Sequence, residues 1–375
     1  MCIFLYCDIF LFILSLLYNK QNKKVLFFIS CLVLFMLLGL HDGTGDPKGY
    51  GYDFPAYLNF FKGKYDIYGN VDDLNSYTLE MPYYYMCKFL RLFGNYDFVY
   101  IFGCALIFNI PFLYIVNKYS NNKPLSILLL FIIGHTSLHL FVLSVHRQMV
   151  ANTFFLLAVI IILNCPKVSW KYNKKQILLC FLCLFIAVLS HSSSYLLLPI
   201  LFFIYFININ SKKLLLYALV VTMFLGVILS NIMNNYFVRL MLLLGDIEEI
   251  ERSTHYFVND VYGSTTSTFT ALLPLTALTF IFVMYSNKKE INSFFLKCIV
   301  TATIIINLFY SVPLMTRSMT TLLLLGISGS IPQAIGYNKK TIYSINIIVI
   351  LLIYIAYRSY TSPAFRMLPF KFIWE

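Results

Sequence analysis

The chain has 375 residues, of which 60% are hydrophobic and only 12% are charged, and its mean hydropathy is +0.78. This composition excludes a soluble protein of this length and is typical of a polytopic membrane protein. The net charge of +12 does not indicate nucleic-acid binding, because the lysines stand in short loops between apolar runs rather than on one basic face.

Twelve apolar segments approach the length that a helix needs to cross a bilayer, about 20 residues with a range of roughly 17–25. They lie near residues 2–18, 25–41, 97–117, 125–144, 148–164, 177–191, 194–209, 214–230, 269–286, 293–312, 314–336 and 341–358. The first segment lacks a basic stretch and a cleavage site, so we expect a retained helix rather than a signal peptide. The chain is therefore predicted to be an all-α integral membrane protein with about 12 transmembrane helices, forming a single polytopic domain over residues 1–375.

Segment 81–94 differs from these twelve because it is too short and too polar to cross a bilayer. We expect it to form an amphipathic or re-entrant helix at the membrane interface. It belongs to the first of two long loops, about 42–96 and about 231–268, which have no repeats or low-complexity stretches. Loops of this length are more often functional than idle, so both loops are candidates for substrate contact.

Lysine and arginine separate between alternate loops. One set of loops is short, has no arginine and carries most of the lysines, namely Lys20, Lys23, Lys24, Lys118, Lys123, Lys167, Lys171, Lys174, Lys175, Lys212, Lys213, Lys288, Lys289, Lys339 and Lys340. The positive-inside rule places this set in the cytoplasm, so both termini and both long loops are predicted to lie outside. The arginines all stand on that outward side: Arg91, Arg147, Arg239, Arg252, Arg317, Arg358 and Arg366. Since arginine holds diphosphate and carboxylate through a planar fork, this pattern indicates an outward site for an anionic, phosphorylated substrate.

The outward arginines differ in their setting. Arg147 and Arg317 each stand at the outer mouth of an apolar helix, and Gln148 follows Arg147. Arg147 could extend to lipid headgroups, or it could add to the positive end of its helix and bind an anion. We favour the second interpretation for Arg147 and interpret the adjacent His146 as a supporting residue.

The second long loop brings Arg239, Arg252 and His255 among several acidic residues. These three could form surface ion pairs of little consequence, or they could belong to the substrate site. Arg358 and Arg366 lie near the C-terminus, and we interpret them as incidental.

Carboxylates, tyrosines and one histidine complete the set of candidate site residues. Asp53 stands at the start of a short predicted helix around residues 54–61, where it could cap the helix or act as a substrate-binding or base carboxylate. Glu80, two residues before Pro82, has the same two alternatives. Tyr57 could belong to an interfacial aromatic belt or face a sugar ring. His191 lies among serines in a tight outward turn, where it could be a general base or a hydrogen-bonded turn residue.

The sequence offers no metal motif, no nucleotide-binding loop and no dinucleotide fingerprint, so we expect neither a metal nor a cofactor. Cys180 and Cys183 form a CxxC pair, but apolar residues fill and flank it. We therefore interpret these cysteines as packing or lipid-facing residues rather than as metal or redox ligands.

Several motifs follow one another along the chain: GYDFPAYLNFF, LEMPYYYMCKFLRLFG, HRQMVANTFFLLAV, a lysine-rich loop and IAVLSHSSSYLLLPI. Their order resembles the EpsG-like branch of the Wzy polysaccharide polymerases. The family pattern Asp-x-x-x-Tyr falls on Asp53 and Tyr57, and the pattern of Arg-Gln with a following Ala falls on Arg147, Gln148 and Ala151. The pattern Ala-x-x-x-His-x-Ser falls on Ala187, His191 and Ser193, and a later arginine of the family falls on Arg317. The resemblance covers about residues 25–330.

This resemblance implies a membrane-embedded glycosyltransferase of GT-C-type architecture. Such an enzyme joins oligosaccharide repeat units carried on undecaprenyl diphosphate at the outer leaflet, with one lipid-linked chain as donor and another as acceptor. The implied roles are diphosphate binding by Arg147 and Arg317 and base or acceptor positioning by His191, with Asp53 as the competing base. A chain-length regulator protein is a further partner that the resemblance allows, and the membrane of a bacterium is the implied location.

Two other functions share these sequence features. A ligase that moves a finished chain to another acceptor would have the same arginines, so the sequence separates it poorly from a polymerase. A flippase of lipid-linked sugar should instead carry ionisable residues near the bilayer midplane and often shows inverted repeats. Here the charges cluster at outer helix ends and no repeat is visible, which favours the polymerase.

Overall fold

A computed structural model describes residues 3–19, 21–39, 54–63, 81–135, 146–165, 174–191, 194–209, 211–243, 269–310 and 313–337. Within these ranges every regular element is an α-helix, as the sequence predicts. The helices are α1 Ile3–Leu17, α2 Lys23–Gly39, α3 Phe54–Phe61, α4 Met81–Arg91, α5 Asp97–Tyr119, α6 Lys123–His135, α7 His146–Asn164, α8 Lys174–Ser190, α9 Ser194–Phe206, α10 Lys212–Leu243, α11 Phe269–Tyr285, α12 Lys288–Ile291, α13 Phe294–Phe309, α14 Pro313–Gly329 and α15 Gln333–Tyr337.

Within the residues that the structure describes, three helices are long and apolar enough to cross a membrane: Asp97–Tyr119, His146–Asn164 and the Lys212–Leu229 part of α10. Six shorter apolar helices accompany them, at Leu5–Leu17, Lys123–Ile133, Ser194–Phe206, Leu272–Tyr285, Phe294–Phe309 and Ser318–Gly329. Each of the first eleven predicted segments overlaps a helix, and the twelfth, 341–358, lies outside the described residues. The described part of the chain is thus all-helical and contains candidate membrane-spanning helices, as composition indicates.

The chain divides into two compact units, one of residues 1–200 with 327–375 and one of residues 201–326. In the first unit, α5 packs against α2, α4, α6 and α7, and α7 packs against α8. Asn122 caps α6 by accepting from the Leu125 amide at 3.1 Å, and its own amide donates to the Ser15 carbonyl of α1 at 3.0 Å. This buried asparagine ties two helices together while satisfying a helix end.

The second unit is built on α10, α11 and α13, which pack against one another through buried polar side chains. The Thr276 hydroxyl donates to Asn307 Oδ1 at 3.0 Å, and Thr279 and Thr303 share a hydrogen bond of 2.8 Å. Such bonds hold apolar helices together where lipid provides no hydrophobic driving force. Gly226 on α10 allows the closest approach, because a Cβ there would overlap the backbone carbonyl of Asn307.

Two boundaries differ from the sequence prediction. The predicted segment 214–230 was expected to end where the second long loop begins, but α10 continues to Leu243. That stretch contains no glycine or proline, so its asparagines lower its hydropathy without interrupting the helix. The predicted segment 314–336 is instead broken after Gly329, because Pro332 lacks an N–H and disfavours helical geometry in the residue before it.

Candidate anion-binding site

The short helices α3 and α4 of the first long loop are present where the sequence predicts them. Arg91 at the end of α4 holds the end of α3, since its Nε donates to the Phe61 carbonyl and its Nη2 to the Phe60 carbonyl, both at 2.5 Å. These carbonyls belong to the last turn of α3, where a helix leaves acceptors without internal partners. Arg91 is therefore a structural residue that docks α3 onto α4.

A cluster of buried aromatic side chains forms where α3, α4, α5 and α7 meet. Its members are Tyr57, Tyr83, Tyr100 and His146, each at most 1% exposed. The Tyr83 and Tyr100 hydroxyls are 2.7 Å apart, and the Tyr100 hydroxyl is hydrogen-bonded to His146 Nδ1. The Tyr57 ring stacks on the His146 ring, with centroids 5.1 Å apart and an interplanar angle of 14°. Four separate elements are thereby joined through ring and hydroxyl contacts.

Arg147 follows His146 at the beginning of α7 and contacts this cluster. Its Nε donates to the Tyr57 hydroxyl at 3.1 Å, and its guanidinium carbon lies 5.9 Å from the centroid of the Tyr57 ring. The first turn of α7 contains no acidic residue, so nothing within that turn offsets the guanidinium charge or the positive end of the helix. A half-buried arginine at a helix N-terminus, held by a neutral phenol, is an arrangement suited to an anion.

Gln148 supplies a second donor beside Arg147. Its side chain is 1% exposed, and its Nε2 has no hydrogen-bond partner among the described residues. A buried amide donor without a partner costs free energy, and a bound ligand oxygen is one way in which that cost is met. The first turn of α7 thus offers a charged donor and a neutral donor in consecutive positions.

The Tyr83 phenol and the Cys87 thiol of α4 stay protonated at neutral pH. Burial raises the pKa of the Tyr83 phenol well above its ordinary value of 10, and burial likewise raises the pKa of the Cys87 thiol to about 12. Both groups are therefore neutral, so neither adds a negative charge to the cluster.

His191 lies in the turn between α8 and α9, half-buried, with its carbonyl accepting from the Ser194 amide at 3.1 Å. Contacts between α7 and α8 show that the two helices run antiparallel: Cys165 faces Gln176, and Cys180 faces the Ala158 carbonyl. Arg147 precedes Ala158 on α7 by the same number of residues by which His191 follows Cys180 on α8. Because all α-helices rise by about 1.5 Å per residue, His191 is level with the first turn of α7.

The remaining candidates are placed only in part. Arg317 lies on α14 and Arg239 on α10, both in the second unit, and their side chains are outside the described structure. The predicted site residues Asp53, Glu80, Arg252 and His255 lie outside the described residues altogether.

The structure brings Tyr57 and Arg147 into direct contact, and both were candidates from the sequence. Sequence reasoning missed Tyr83 and Tyr100, which are two of many tyrosines in apolar or interfacial stretches. Only their tertiary contacts distinguish them: the Tyr83 hydroxyl is bonded to that of Tyr100, and the Tyr100 hydroxyl is bonded to His146. Among the described residues, no group of three or more His, Cys, Asp or Glu side chains gathers where it could hold a metal ion.

These helices and this cluster define a membrane protein with an arginine at the mouth of an apolar helix. The chain belongs to the EpsG family, whose family model matches residues 24–372. This match confirms the resemblance drawn from the motifs, since EpsG-like proteins are Wzy-type polymerases, and it indicates a polysaccharide repeat-unit polymerase in general terms. Neither a curated protein nor a solved structure matches the chain.

Proposed function

We propose that this protein polymerises oligosaccharide repeat units carried on undecaprenyl diphosphate at the outer leaflet of the bacterial cytoplasmic membrane. The observation that carries the proposal is Arg147, held by Tyr57 at the positive end of α7 with no acidic residue in that turn. Membership of the EpsG family supports the same class of reaction.

In the proposed reaction, a hydroxyl oxygen of the acceptor repeat unit attacks the anomeric carbon of the donor chain. The new glycosidic bond forms as the bond between that carbon and the diphosphate oxygen breaks, and undecaprenyl diphosphate leaves with the bonding electron pair. Arg147 and Gln148 bind the diphosphate, whose negative charge increases in the transition state, so fixed donors there lower the barrier. The acceptor proton passes to His191, with Asp53 as the competing base.

Arg317 is a second proposed diphosphate-binding residue, on the strength of its match to the family pattern. Arg239 on α10 is a proposed substrate contact, as are Arg252, Glu80 and His255 of the long loops. The proposed architecture is a GT-C-type bundle of about twelve transmembrane helices with both termini outside, from the alternation of lysine-bearing and arginine-bearing loops. A chain-length regulator is a proposed protein partner.

The test is genetic complementation, with the surface polysaccharide of a strain lacking the gene compared with that of the complemented strain. We expect the deletion strain to display a single repeat unit on the final acceptor, and the restored gene to return long chains. Long polymer left on the lipid carrier in the deletion strain would indicate a ligase instead. Repeat units retained on the cytoplasmic side would indicate a flippase.

A further inference from the structure

A continuous series of contacts runs through the buried cluster and ends at Arg147. It begins at Tyr83 on α4, whose hydroxyl is 2.7 Å from that of Tyr100 on α5, and continues from Tyr100 to His146 Nδ1 on α7. It then passes through ring stacking from His146 to Tyr57 on α3, and finally from the Tyr57 hydroxyl to Arg147 Nε at 3.1 Å. Each of the four helices contributes one ring to this series.

Each contact fixes one degree of freedom of the next group. The Tyr100 hydroxyl fixes the rotation of the imidazole by engaging Nδ1, and the nearly parallel imidazole then fixes the plane of the Tyr57 ring. The Tyr83 ring meets Tyr57 edge-on, with centroids 5.3 Å apart at 67°, so Tyr57 is held from a second direction. Because a guanidinium is planar, a fixed acceptor at Nε orients the whole fork.

The burial of the series shows that solvent does not hold these groups. Tyr57, Tyr83 and Tyr100 are fully buried, and His146 is 1% exposed. Buried hydroxyls carry a desolvation cost unless they are bonded, so their contacts with one another stabilise this arrangement. Phenylalanines in place of the three tyrosines would fill similar space without hydroxyls. Arg147 Nε would then lose the acceptor that the Tyr57 hydroxyl provides.

We propose that Tyr83, Tyr100 and His146 are positioning residues that act through Tyr57 to hold the Arg147 guanidinium in the orientation that binds a lipid diphosphate. This inference rests on the proposed function, because it takes the diphosphate as the ligand of Arg147. None of the three positioning residues touches the substrate. Their effect is confined to ligands that carry the diphosphate group.

The test measures the dissociation constants of two lipids for the purified protein in lipid nanodiscs. Undecaprenyl diphosphate is the ligand, and undecaprenol, which has the same tail without the diphosphate, is the control. The variants are Tyr100→Phe, Tyr83→Phe, Arg147→Lys and the double variant of Tyr100→Phe with Arg147→Lys. Tyr84→Phe is the matched control, since Tyr84 neighbours Tyr83 on α4 and contacts Phe60, and its hydroxyl has no hydrogen bond recorded among the described residues.

We expect Tyr100→Phe and Tyr83→Phe to weaken undecaprenyl diphosphate binding by roughly two- to tenfold, the effect of one neutral hydrogen bond, and to leave undecaprenol binding unchanged. In the Arg147→Lys background, Tyr100→Phe should have no further effect, because the fork that it orients is gone.

The positioning role would be overturned if Tyr100→Phe kept wild-type affinity, or if it weakened the binding of both lipids equally. It would also be overturned if Tyr100→Phe weakened binding equally in the wild-type and Arg147→Lys backgrounds, or if Tyr84→Phe caused an equal loss of affinity. Wild-type affinity in Arg147→Lys would instead refute the proposed diphosphate site, and the positioning role with it.

Discussion

The contact between Arg147 and Tyr57 gives a cation at a helix mouth a neutral hydrogen-bond acceptor. A carboxylate at this position would neutralise the guanidinium and compete with an anionic ligand, whereas a phenol accepts a hydrogen bond and carries no charge. The stacked His146 ring keeps the phenol in place. At this scale, the Tyr57 phenol supplies an acceptor to the Arg147 guanidinium without adding a negative charge.

Gln148 provides a test of the donor role at the residue scale. Gln148→Glu preserves the shape of the side chain but replaces the buried donor with an acceptor, whereas Gln148→Ala removes the donor and leaves a cavity. If the amide binds a phosphate oxygen, Gln148→Glu should shorten the polymer more severely than Gln148→Ala, since a carboxylate repels the diphosphate. The measurement is polysaccharide chain length at equal protein level. A larger loss in Gln148→Ala would assign Gln148 to packing instead.

The sequence makes Arg147 and His191 candidates because each is unusual in its local context: Arg147 opposes the orientation rule, and His191 interrupts an apolar hairpin. Tyr57 is a candidate through its place in the family pattern. The sequence does not single out Tyr83 and Tyr100, because each is an ordinary aromatic residue until α3, α4, α5 and α7 meet. Hydropathy carries no information about which buried tyrosines face one another.

At the scale of elements, helix positions were predictable and some helix ends were not. Apolar runs of sufficient length placed α5 and α7 within a few residues, and the short helix α3 was predicted with its observed bounds. The end of α10 was misplaced because hydropathy falls at its asparagines while helix-forming residues continue. The close approach of α10 to α13 at Gly226 was likewise invisible, since only a tertiary contact requires glycine there.

Gly226→Ala is the substitution that tests this helix contact. An added methyl group would overlap the Asn307 carbonyl of α13, and neither backbone can move without separating α10 from α13. We expect the free energy of unfolding to fall by about 1–3 kcal/mol, the usual cost of overpacking. Thermal unfolding in detergent measures the change, with Val221→Ala, at an exposed position on the same helix, as the control. Equal melting temperatures for the two variants would contradict this close packing.

At the scale of the whole molecule, the account depends on the side of the membrane that each loop occupies. Asn95, between α4 and α5, is predicted outside, and Lys213, at the start of α10, is predicted in the cytoplasm; both side chains are exposed. A membrane-impermeant maleimide should therefore label Asn95→Cys in intact spheroplasts and label Lys213→Cys only after permeabilisation. Mass spectrometry of the labelled peptides distinguishes the new thiols from the native cysteines. The reverse labelling pattern would invert the topology and remove the outward site.

The central claim is that an outward arginine at the mouth of α7 binds the diphosphate on which the polymer is carried. Its most direct measurement is the polysaccharide ladder of a strain lacking the gene and complemented with Arg147→Ala, Arg147→Lys or Lys62→Ala at equal protein level. Lys62 is the matched control, a cation of the first long loop that is also predicted outside and whose ion pair with Asp97, at 2.6 Å, is partly exposed. We expect Arg147→Ala to abolish long chains, Arg147→Lys to shorten them and Lys62→Ala to leave the ladder unchanged. A full-length ladder from Arg147→Ala would contradict the claim.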